Sequence, residues 1–210
     1  MSRIDDPKRF LAALLKMGIE EYVSGGEDRL TLARIKAQSA ACTKCGLAAS
    51  RRTVVFGEGS ETARVVFVGE APGEEEDRQG RPFVGRAGKL LDKMIESIGL
   101  RRRDVYICNV LKCRPPGNRD PEPAEVEACK EYLAAQLEAI NPLLICTLGK
   151  HAYNTLLGVD ARITKIRGRL TDYKGIKLLP TYHPSFLLRN QGAMGDAYDD
   201  MQKVKSLLSG

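Results

Sequence analysis

The stretch Arg64-Val65-Val66-Phe67-Val68-Gly69-Glu70-Ala71-Pro72-Gly73 decides the fold class of this chain. Its four consecutive apolar residues are all β-branched or aromatic, which is typical of a strand buried on both faces, and the following Gly-x-x-Pro-Gly indicates an irregular loop. Ligands of open α/β sheets bind beyond the carboxyl ends of the strands. Glu70 is therefore predicted to stand at the mouth of a site, and a charged surface loop is the alternative.

The elements that follow repeat this pattern of buried strand, loop and helix. A polar loop over residues 74–85 carries a single aromatic residue, Phe83, and precedes a helix with apolar residues on one face. Further buried strands are predicted from Asp104 to Leu111, ending near Asn109, and over residues 143–148 and 176–179, and another strand is predicted at 53–56. Strands that alternate with helices favour an α/β fold with a mostly parallel sheet.

Composition limits the class of protein. With 210 residues and 43% hydrophobic content, the chain can bury a substantial core in one domain with an extra terminal segment. We expect a helical annex over residues 1–40 and the α/β domain over 41–210. Apolar runs are too short to span a bilayer and no secretory leader is evident, so we expect a soluble cytoplasmic protein without membrane contact. The net charge of +6 is compatible with a nucleic-acid partner.

Six cysteines in such a protein favour metal binding or buried thiols over disulfides. Cys108 and Cys146 lie in strand-like apolar runs and are assigned to the core. Cys42 and Cys45 form a close pair that alone could be redox-active, metal-binding or incidental.

Two more cysteines change this assessment. Cys113 is predicted in an exposed, proline-rich loop, and Cys129 lies on the apolar stripe of a helix from about Ala124 to Ile140. A close pair with two distant thiolates is what four-cysteine iron–sulfur or zinc coordination requires. The spacing does not choose between the metals.

Polar residues at the later strand ends complete the candidate set. Asn109 ends one strand, and His183 stands before Pro184, which favours an extended backbone that projects the imidazole from a strand end. His151 lies at a helix start, where a structural or solvent-facing role is the commoner one. Basic residues interleave with apolar ones over residues 162–170, as on a solvated strand face or a phosphate-facing edge.

In this order, the Gly69-Glu70-Ala71-Pro72-Gly73 motif, Asn109, the four cysteines and His183-Pro184-Ser185 closely resemble the family 4 uracil-DNA glycosylases, the iron–sulfur branch of that superfamily. The resemblance covers roughly residues 42–208 and implies a central four-stranded, mostly parallel sheet flanked by helices. It also implies a [4Fe-4S] cluster, mainly structural, held by Cys42, Cys45, Cys113 and Cys129.

The same resemblance assigns roles in hydrolysis of the uracil N-glycosidic bond, which releases uracil and leaves an abasic site. His183 would donate to uracil O2, Glu70 would orient water or stabilise the cationic sugar, and Asn109 would pair with the O4 and N3–H edge. Phe83 would stack on the extruded base. Glu76 would exclude the thymine methyl group, and Gly69, Ala71 and Gly73 complete the substrate-binding set.

DNA contacts follow from the segment after the histidine. Phe186-Leu187-Leu188-Arg189 resembles an intercalating loop, in which Leu187 or Leu188 fills the gap and Arg189 lies near phosphate. Ser185 and the backbone amides around Gly73 and Gly88 are phosphate contacts or simple turn geometry. Uracil-containing DNA is the expected partner, with replication or repair proteins as further candidates, and we expect a monomer.

Two departures and one rival accompany this interpretation. The commoner branch has an aspartate where this chain has Ala71, so the catalytic carboxylate must lie elsewhere, and Glu70 is the candidate. A related branch forms a covalent adduct through a histidine in a basic insertion that this chain lacks, so turnover is expected. The rival is a noncatalytic nucleic-acid-binding module stabilised by zinc or a cluster, which leaves Glu70, Asn109 and His183 unexplained.

Overall fold

The computed structural model describes residues 31–209, which contain a six-stranded mixed sheet. Its strands are β1 (Glu58–Gly59), β2 (Val65–Gly69), β3 (Tyr106–Asn109), β4 (Leu144–Leu148), β5 (Thr171–Tyr173) and β6 (Ile176–Thr181). They follow the order β1-β3-β2-β4-β6-β5, with β3, β2, β4 and β6 parallel and both edge strands antiparallel. The parallel centre agrees with the predicted four-stranded sheet, and the full sheet is larger by two edge strands.

The register brings the carboxyl ends of the parallel strands to one edge of the sheet. Gly69 at the end of β2 pairs with Asn109 at the end of β3, and Leu148 pairs with Thr181 in the same way on β4 and β6. The chain leaves β2 towards β3 on one side and later towards β4 on the other. Such a switch point opens a crevice outside the strand ends, which is where ligands of α/β sheets bind.

Helices cover both faces of the sheet. They are α1 (Leu32–Ala40), α2 (Leu47–Ser50), α3 (Glu74–Gln79), α4 (Arg86–Glu96), α5 (Pro123–Ile140), α6 (Lys150–Leu157), α7 (Ile163–Ile166), α8 (Pro184–Arg189) and α9 (Met194–Ser209). Short 3₁₀ turns lie at Arg102–Asp104, Pro116–Asn118 and Gln191–Ala193. The longest helix, α5, begins with Pro123 at its first position and ends at Asn141 in the left-handed conformation, both ordinary helix boundaries.

The core consists of two layers because successive strand residues point to opposite faces. Val66 and Val68 of β2 pack with residues of α1 and α5, whereas Val65 and Phe67 pack with residues of α4 and α9. All of these strand side chains are buried. The uninterrupted apolar run of β2 therefore reflects a strand that is covered on both faces.

Three local predictions are wrong. Residues 53–56 form no strand, since this segment makes one backbone bond to the neighbouring loop, from Val55 N–H to Lys112 O at 2.8 Å. Residues 162–170 contain the helical turn α7, and Arg167 turns inward to a buried ion pair with Asp200. The polar loop after Gly73 begins with the short helix α3.

The N-terminal prediction falls mostly outside the described residues. Residues 1–30 of the expected helical annex lie there, and the annex over residues 1–40 stays a prediction. Its last residues are described as α1, in which Leu32 and Ile35 belong to the same core layer as α5. Within residues 31–209, no helix has the length and apolar character that a membrane crossing needs.

Candidate active site

A cleft of about 620 Å³ opens at the carboxyl edge of the parallel strands. Glu70, Asn109 and His183 follow or end three different strands, and all three line this one cavity, as the sequence predicts. The other predicted residues that line it are Ala71, Gly73, Glu76, Phe83, Ser185 and Arg189. A carboxylate, an amide and an imidazole from distant parts of the chain therefore share one site.

Asn109 is buried at the floor of the cleft, with 1% of its surface exposed. Its Oδ1 atom is buried and has no hydrogen-bond partner among residues 31–209. A buried acceptor without a donor is unfavourable by roughly 1–3 kcal/mol, so such atoms in native proteins are candidates for ligand contacts. The amide of Asn109 is thus positioned to receive a donor from a bound molecule.

Gly69 does not line the cleft but lets two of its walls approach each other. A Cβ atom at this position would lie 2.3 Å from Asn109 Oδ1 and 2.5 Å from Phe83 Cζ. Because both distances are far below van der Waals contact, only glycine allows Asn109 and Phe83 to lie where they do. The role of Gly69 in this structure is to permit that close packing.

The position of Phe83 is fixed by its backbone conformation and by a hydrogen bond to its carbonyl group. Its φ of 52° is unusual for a residue with a Cβ, and its carbonyl accepts a hydrogen bond from Arg102 Nη1 at 3.1 Å. A Cβ at Gly88 would lie 1.8 Å from the same carbonyl oxygen, so Gly88 serves the packing of α4 against this turn. The Phe83 ring lies 5.7 Å from that of His183, between centroids, with a tilt of 37°.

Glu76 braces the loop that carries Phe83. Its Oε1 accepts hydrogen bonds from the N–H groups of Val84 at 2.8 Å and Gly85 at 2.9 Å, and its Oε2 accepts one from Gly73 N–H at 3.2 Å. These contacts tie the first turn of α3 to the start of α4. The carboxylate of Glu76 is therefore engaged with the backbone at the edge of the cleft.

His183 caps the helix α8 with its own side chain. Nδ1 accepts the N–H of Ser185 at 3.1 Å and lies 2.7 Å from Ser185 Oγ. Burial, with smaller contributions from Arg189 and His151, lowers the pKa of His183 to about 4. The imidazole is hence neutral at pH 7, and a ring whose Nδ1 accepts an N–H bond carries its proton on Nε2.

Glu70 lies next to two groups that sequence patterns did not place there. His151 Nε2 is 3.7 Å from Glu70 Oε2 and 3.8 Å from Asp120 Oδ2, and one ligand atom from each residue lies within 4.8 Å of the others. Burial raises the pKa of Glu70, and the charge of Asp120 raises it further, whereas His151 and Lys150 oppose these effects. His151 therefore faces the cleft, and its role stays a prediction.

The helix α8 carries the predicted DNA-contacting residues. Leu187 is 1% exposed and packs in the core layer with α4 and α9, whereas Leu188 is 37% exposed. Leu187 is thus a core residue in this structure, and Leu188 is the leucine of this pair that reaches the surface. Arg189 lines the cleft at the end of the helix.

The four cysteines singled out by spacing line one small cavity between α1, α2 and α5. Its walls include Cys42, Cys45, Cys113 and Cys129 together with Arg51, Lys112 and Tyr132. Cys113 is 8% exposed, so the prediction of an exposed loop position is wrong for this residue. The proline-rich segment places Cys113 under the neighbouring helices instead of in solvent.

Hydrogen-bond donors surround two of these sulfur atoms. The backbone N–H of Lys112 donates to Cys129 Sγ at 3.3 Å, and Arg51 Nη1 donates to Cys113 Sγ at 3.5 Å. Cys108 and Cys146 lie apart from this cavity, fully buried in β3 and β4, where burial raises the pKa of both thiols. Those two thiols are core residues, as the sequence predicts.

Comparison with known proteins decides the family. The model of the uracil DNA glycosylase superfamily matches residues 56–205 of this chain. The chain belongs to this superfamily. It is 52% identical over 171 residues to the Type-4 uracil-DNA glycosylase of Thermotoga maritima, covering 80% of this chain and 89% of that protein. It is 46% identical over 174 residues to the Type-4 enzyme of Archaeoglobus fulgidus, covering 79% and 87%.

The resemblance to the family 4 branch of the uracil-DNA glycosylases is thereby confirmed. A Type-5 uracil-DNA glycosylase of Pyrobaculum aerophilum is 33% identical over 153 residues, covering 65% of this chain and 67% of that protein. The higher identity to Type-4 members agrees with the branch that the motifs indicate.

Sequence reasoning missed three residues around this glycosylase-family cleft. Asp120 sits in a loop between prolines with no periodic signal, and its contact with His151 joins segments that are distant in sequence. Arg102 lies among three consecutive arginines and could not be distinguished from its neighbours. The position of His151 three residues after the end of a buried strand was the one available signal, and it is weaker than the strand-end positions that identified Glu70 and Asn109.

Proposed function

We propose that this protein is a DNA-repair glycosylase that extrudes uracil from DNA and hydrolyses its N-glycosidic bond. The products are free uracil and an abasic site. The names of the Type-4 relatives support this proposal, because they are uracil-DNA glycosylases that match most of the chain. The observation that carries it at the site is the buried, unpartnered Asn109 Oδ1 at the floor of the cleft.

Asn109 reads the base in this proposal. Uracil presents an N3–H donor next to the O4 acceptor, and a carboxamide supplies the complementary acceptor and donor. Asn109 Oδ1 accepts N3–H, and Nδ2 donates to O4. Cytosine presents an acceptor at N3 and a donor at N4, so it leaves the buried amide mismatched and is rejected.

His183 stabilises the leaving group. Cleavage of the N-glycosidic bond leaves negative charge on the uracil ring, and a fixed donor in a desolvated site stabilises such charge. Because Nδ1 accepts the Ser185 N–H, the neutral ring offers Nε2–H to uracil O2. No proton needs to be transferred for this interaction to strengthen as the charge develops.

Glu70 acts on the sugar side of the reaction. Its carboxylate lines the cleft, where it orients the attacking water and stabilises the oxocarbenium-like sugar. It takes this role because Ala71 supplies no carboxylate. His151 lies 3.7 Å from Glu70, and His151 and Asp120 act in opposite directions on the pKa of the Glu70 carboxyl group.

The base reaches this pocket by leaving the duplex. Phe83 stacks on the extruded uracil, an interaction worth roughly 1–3 kcal/mol for a base on an aromatic ring. Leu188 fills the gap in the base stack, and Arg189 and Ser185 lie at the phosphate-facing side of α8. Glu76 fixes Phe83 and Gly73 through the loop, and its contact near uracil C5 excludes the thymine methyl group.

Cys42, Cys45, Cys113 and Cys129 would hold a [4Fe-4S] cluster in the same proposal. Four sulfur donors around one cavity, with N–H groups directed at two of them, fit an iron–sulfur cluster or a zinc ion. The resemblance to family 4 selects the cluster. When bound, the cluster supplies structural cross-linking of α1, the Lys112 loop and α5, and takes no part in bond cleavage.

The decisive experiment measures uracil release from a uracil-containing oligonucleotide. The wild-type protein should yield free uracil and an alkali-labile abasic site. His183→Gln and Glu70→Gln should slow single-turnover cleavage by roughly 10²-fold or more while DNA binding changes little. A thymine- or cytosine-containing strand is the substrate control. Equal losses of binding and cleavage in both variants would remove the proposed catalytic roles.

The cofactor has a separate test. Protein purified without oxygen should be brown, absorb broadly in the visible range and contain iron and inorganic sulfide. Replacement of Cys42 by alanine should remove the colour, and replacement of Cys146 by alanine should leave it. Colourless wild-type protein with stoichiometric zinc would contradict the cluster without affecting the proposed reaction.

A further inference from the structure

A buried lysine lies between the cysteine cavity and the strand that carries Asn109. Lys112 is 2% exposed, and its Nζ donates to the backbone carbonyl of Asn109 at 2.7 Å and to Gln136 Oε1. Gln136 is held in turn, because its Nε2 donates to Phe56 O at 2.9 Å and to Tyr106 Oη at 3.1 Å. The ammonium group is thus fixed by two uncharged acceptors.

No carboxylate of the described residues compensates this charge. Burial lowers the pKa of Lys112, and the sulfurs of Cys108, Cys129 and Cys113 oppose this shift. Cys108 is uncharged, since burial raises the pKa of its thiol above the ordinary value. Buried charges in proteins are paired or contribute to metal sites. The buried ammonium group of Lys112 therefore calls for a nearby anion that the described carboxylates do not supply.

The cysteine cavity supplies the missing anion. Lys112 lines it together with the four cysteines, and its own backbone N–H donates to Cys129 Sγ at 3.3 Å. Four thiolates around a doubly positive cluster core, or around a zinc ion, leave two net negative charges. A buried cation beside this cavity therefore matches the charge of the filled site.

We propose that Lys112 is the buried counter-ion of the filled four-cysteine site and a positioning residue for Asn109. The inference rests on the metal group in the proposed function and extends it to a residue outside the ligand set. The ammonium group of Lys112 compensates the thiolates and also fixes the carbonyl of the residue that reads uracil, while the backbone N–H of Lys112 donates to Cys129 Sγ. Filling of the cysteine site and alignment of Asn109 are thereby coupled through one side chain.

The test compares Lys112→Met with the matched control Lys130→Met in holoprotein purified without oxygen. Lys130 is an exposed lysine of α5 whose ion pair with Glu127 lies at the surface. Lys112→Met should release iron to a chelator at least about tenfold faster than wild type, the range found for partners of metal ligands, and should lower the cluster reduction potential. Lys130→Met should match wild type in both.

A second variant keeps the lysine and changes only its partner. Gln136→Glu places a carboxylate where Oε1 now accepts from Lys112, so the cation is neutralised from within the protein. Faster iron release and a lower potential are expected here too, although Lys112 and its packing remain. Unchanged potential and release in folded Lys112→Met or Gln136→Glu protein would overturn the counter-ion role.

Uracil chemistry separates this inference from the proposed function. Lys112→Met should lower kcat on uracil-containing DNA more than it raises KM, because Asn109 is misaligned without loss of DNA-contacting residues. Wild-type protein that releases uracil but binds neither iron nor zinc would overturn the inference alone. Wild-type protein that binds iron but releases no uracil would overturn the proposed reaction and leave the counter-ion role standing.

Discussion

At the residue scale, the geometry of the cleft depends on the absence of a side chain at one position. Gly69 has no side chain, and this lets Asn109 Oδ1 and the Phe83 ring lie next to each other at the end of β2. The base-reading amide and the base-stacking ring are thus spaced by a glycine that touches no substrate in the proposed reaction.

Replacement of Gly69 by alanine tests this spacing. The added Cβ would lie 2.3 Å from Asn109 Oδ1 and 2.5 Å from Phe83 Cζ, so both groups must move. We expect kcat/KM for uracil release to fall roughly 10²-fold, the loss that a misplacement of about 1 Å produces. Gly195→Ala is the control, because its Cβ meets nothing within 4 Å. Full activity of Gly69→Ala would show that Asn109 and Phe83 can move without loss of function, and would contradict this role of Gly69.

Glu70 links activity and stability to pH. Its folded-state pKa is raised above 4.5, mainly by burial, whereas that of His183 is about 4. The acidic fall of activity should therefore follow protonation of Glu70 as the pH decreases through its raised pKa. The His183→Gln variant should keep this fall, and Glu70→Gln should lose it, as measured by single-turnover rates between pH 4 and 8.

The raised pKa of Glu70 affects the stability of the fold in the opposite direction from activity, because the ionised form is needed for activity but is unfavourable in the folded state. A carboxyl group with a raised folded-state pKa contributes stability below its unfolded pKa, and this contribution is lost as the pH rises through the folded value. Ionised Glu70 is therefore unfavourable at neutral pH. Glu70→Gln should raise the Tm at pH 7 while it lowers activity, and Glu138→Gln, at an exposed position on α5, should change neither. A lower Tm for Glu70→Gln would contradict the electrostatic account.

At the element scale, α8 places two adjacent leucines in different environments. Leu187 packs in the core, whereas Leu188 faces solvent. Leu187→Ala should destabilise the fold by about 2–5 kcal/mol, as large-to-small core changes do, and denaturant unfolding measures this loss.

Leu188→Ala should leave stability unchanged within about 0.5 kcal/mol, as exposed substitutions do. Its effect should appear as slower uracil release from double-stranded DNA, because the wedge offsets unstacking. Single-stranded substrate needs no such wedge and serves as the control. Equal rates of Leu188→Ala and wild type on both substrates would remove Leu188 from the proposed role.

At the scale of the whole molecule, the chain carries a net charge of +6. Arg119, Lys150 and Arg189 line the cleft alongside Glu70, Glu76 and Asp120. Each phosphate contact made by a basic side chain contributes about 0.9 to the slope of log affinity against log salt for duplex DNA. Arg189→Ala should reduce the magnitude of this slope by about 0.9, the value for one phosphate contact. Arg34→Ala, at a position outside the cleft, should leave the slope unchanged.

The sequence predicts the parallel centre of this molecule well because β2, β3 and β4 are predominantly apolar runs and β6 holds the apolar pair Leu178-Leu179 after Lys177. Polar residues directly after such runs, Glu70 and Asn109 above all, could be placed at one edge for the same reason. His183 needed only the additional constraint of the following proline.

What the sequence does not predict are features without periodicity. The edge strands have two and three residues, too few for any pattern, and they form because β3 and β6 offer free edges. The burial of Cys113 and the approach of Asp120 to His151 depend on how the proline-rich segment folds over its neighbours. Contacts of this kind are fixed by tertiary packing and leave no local signal.

The helix that bears Leu188 starts at the proposed leaving-group donor, since His183 is the N-cap of α8. In the proposed reaction, any displacement of α8 by a base stack would move the Ser185 N–H that His183 Nδ1 accepts, and would therefore change the orientation of the imidazole. Insertion of Leu188 and placement of Nε2–H against uracil O2 would then be linked events.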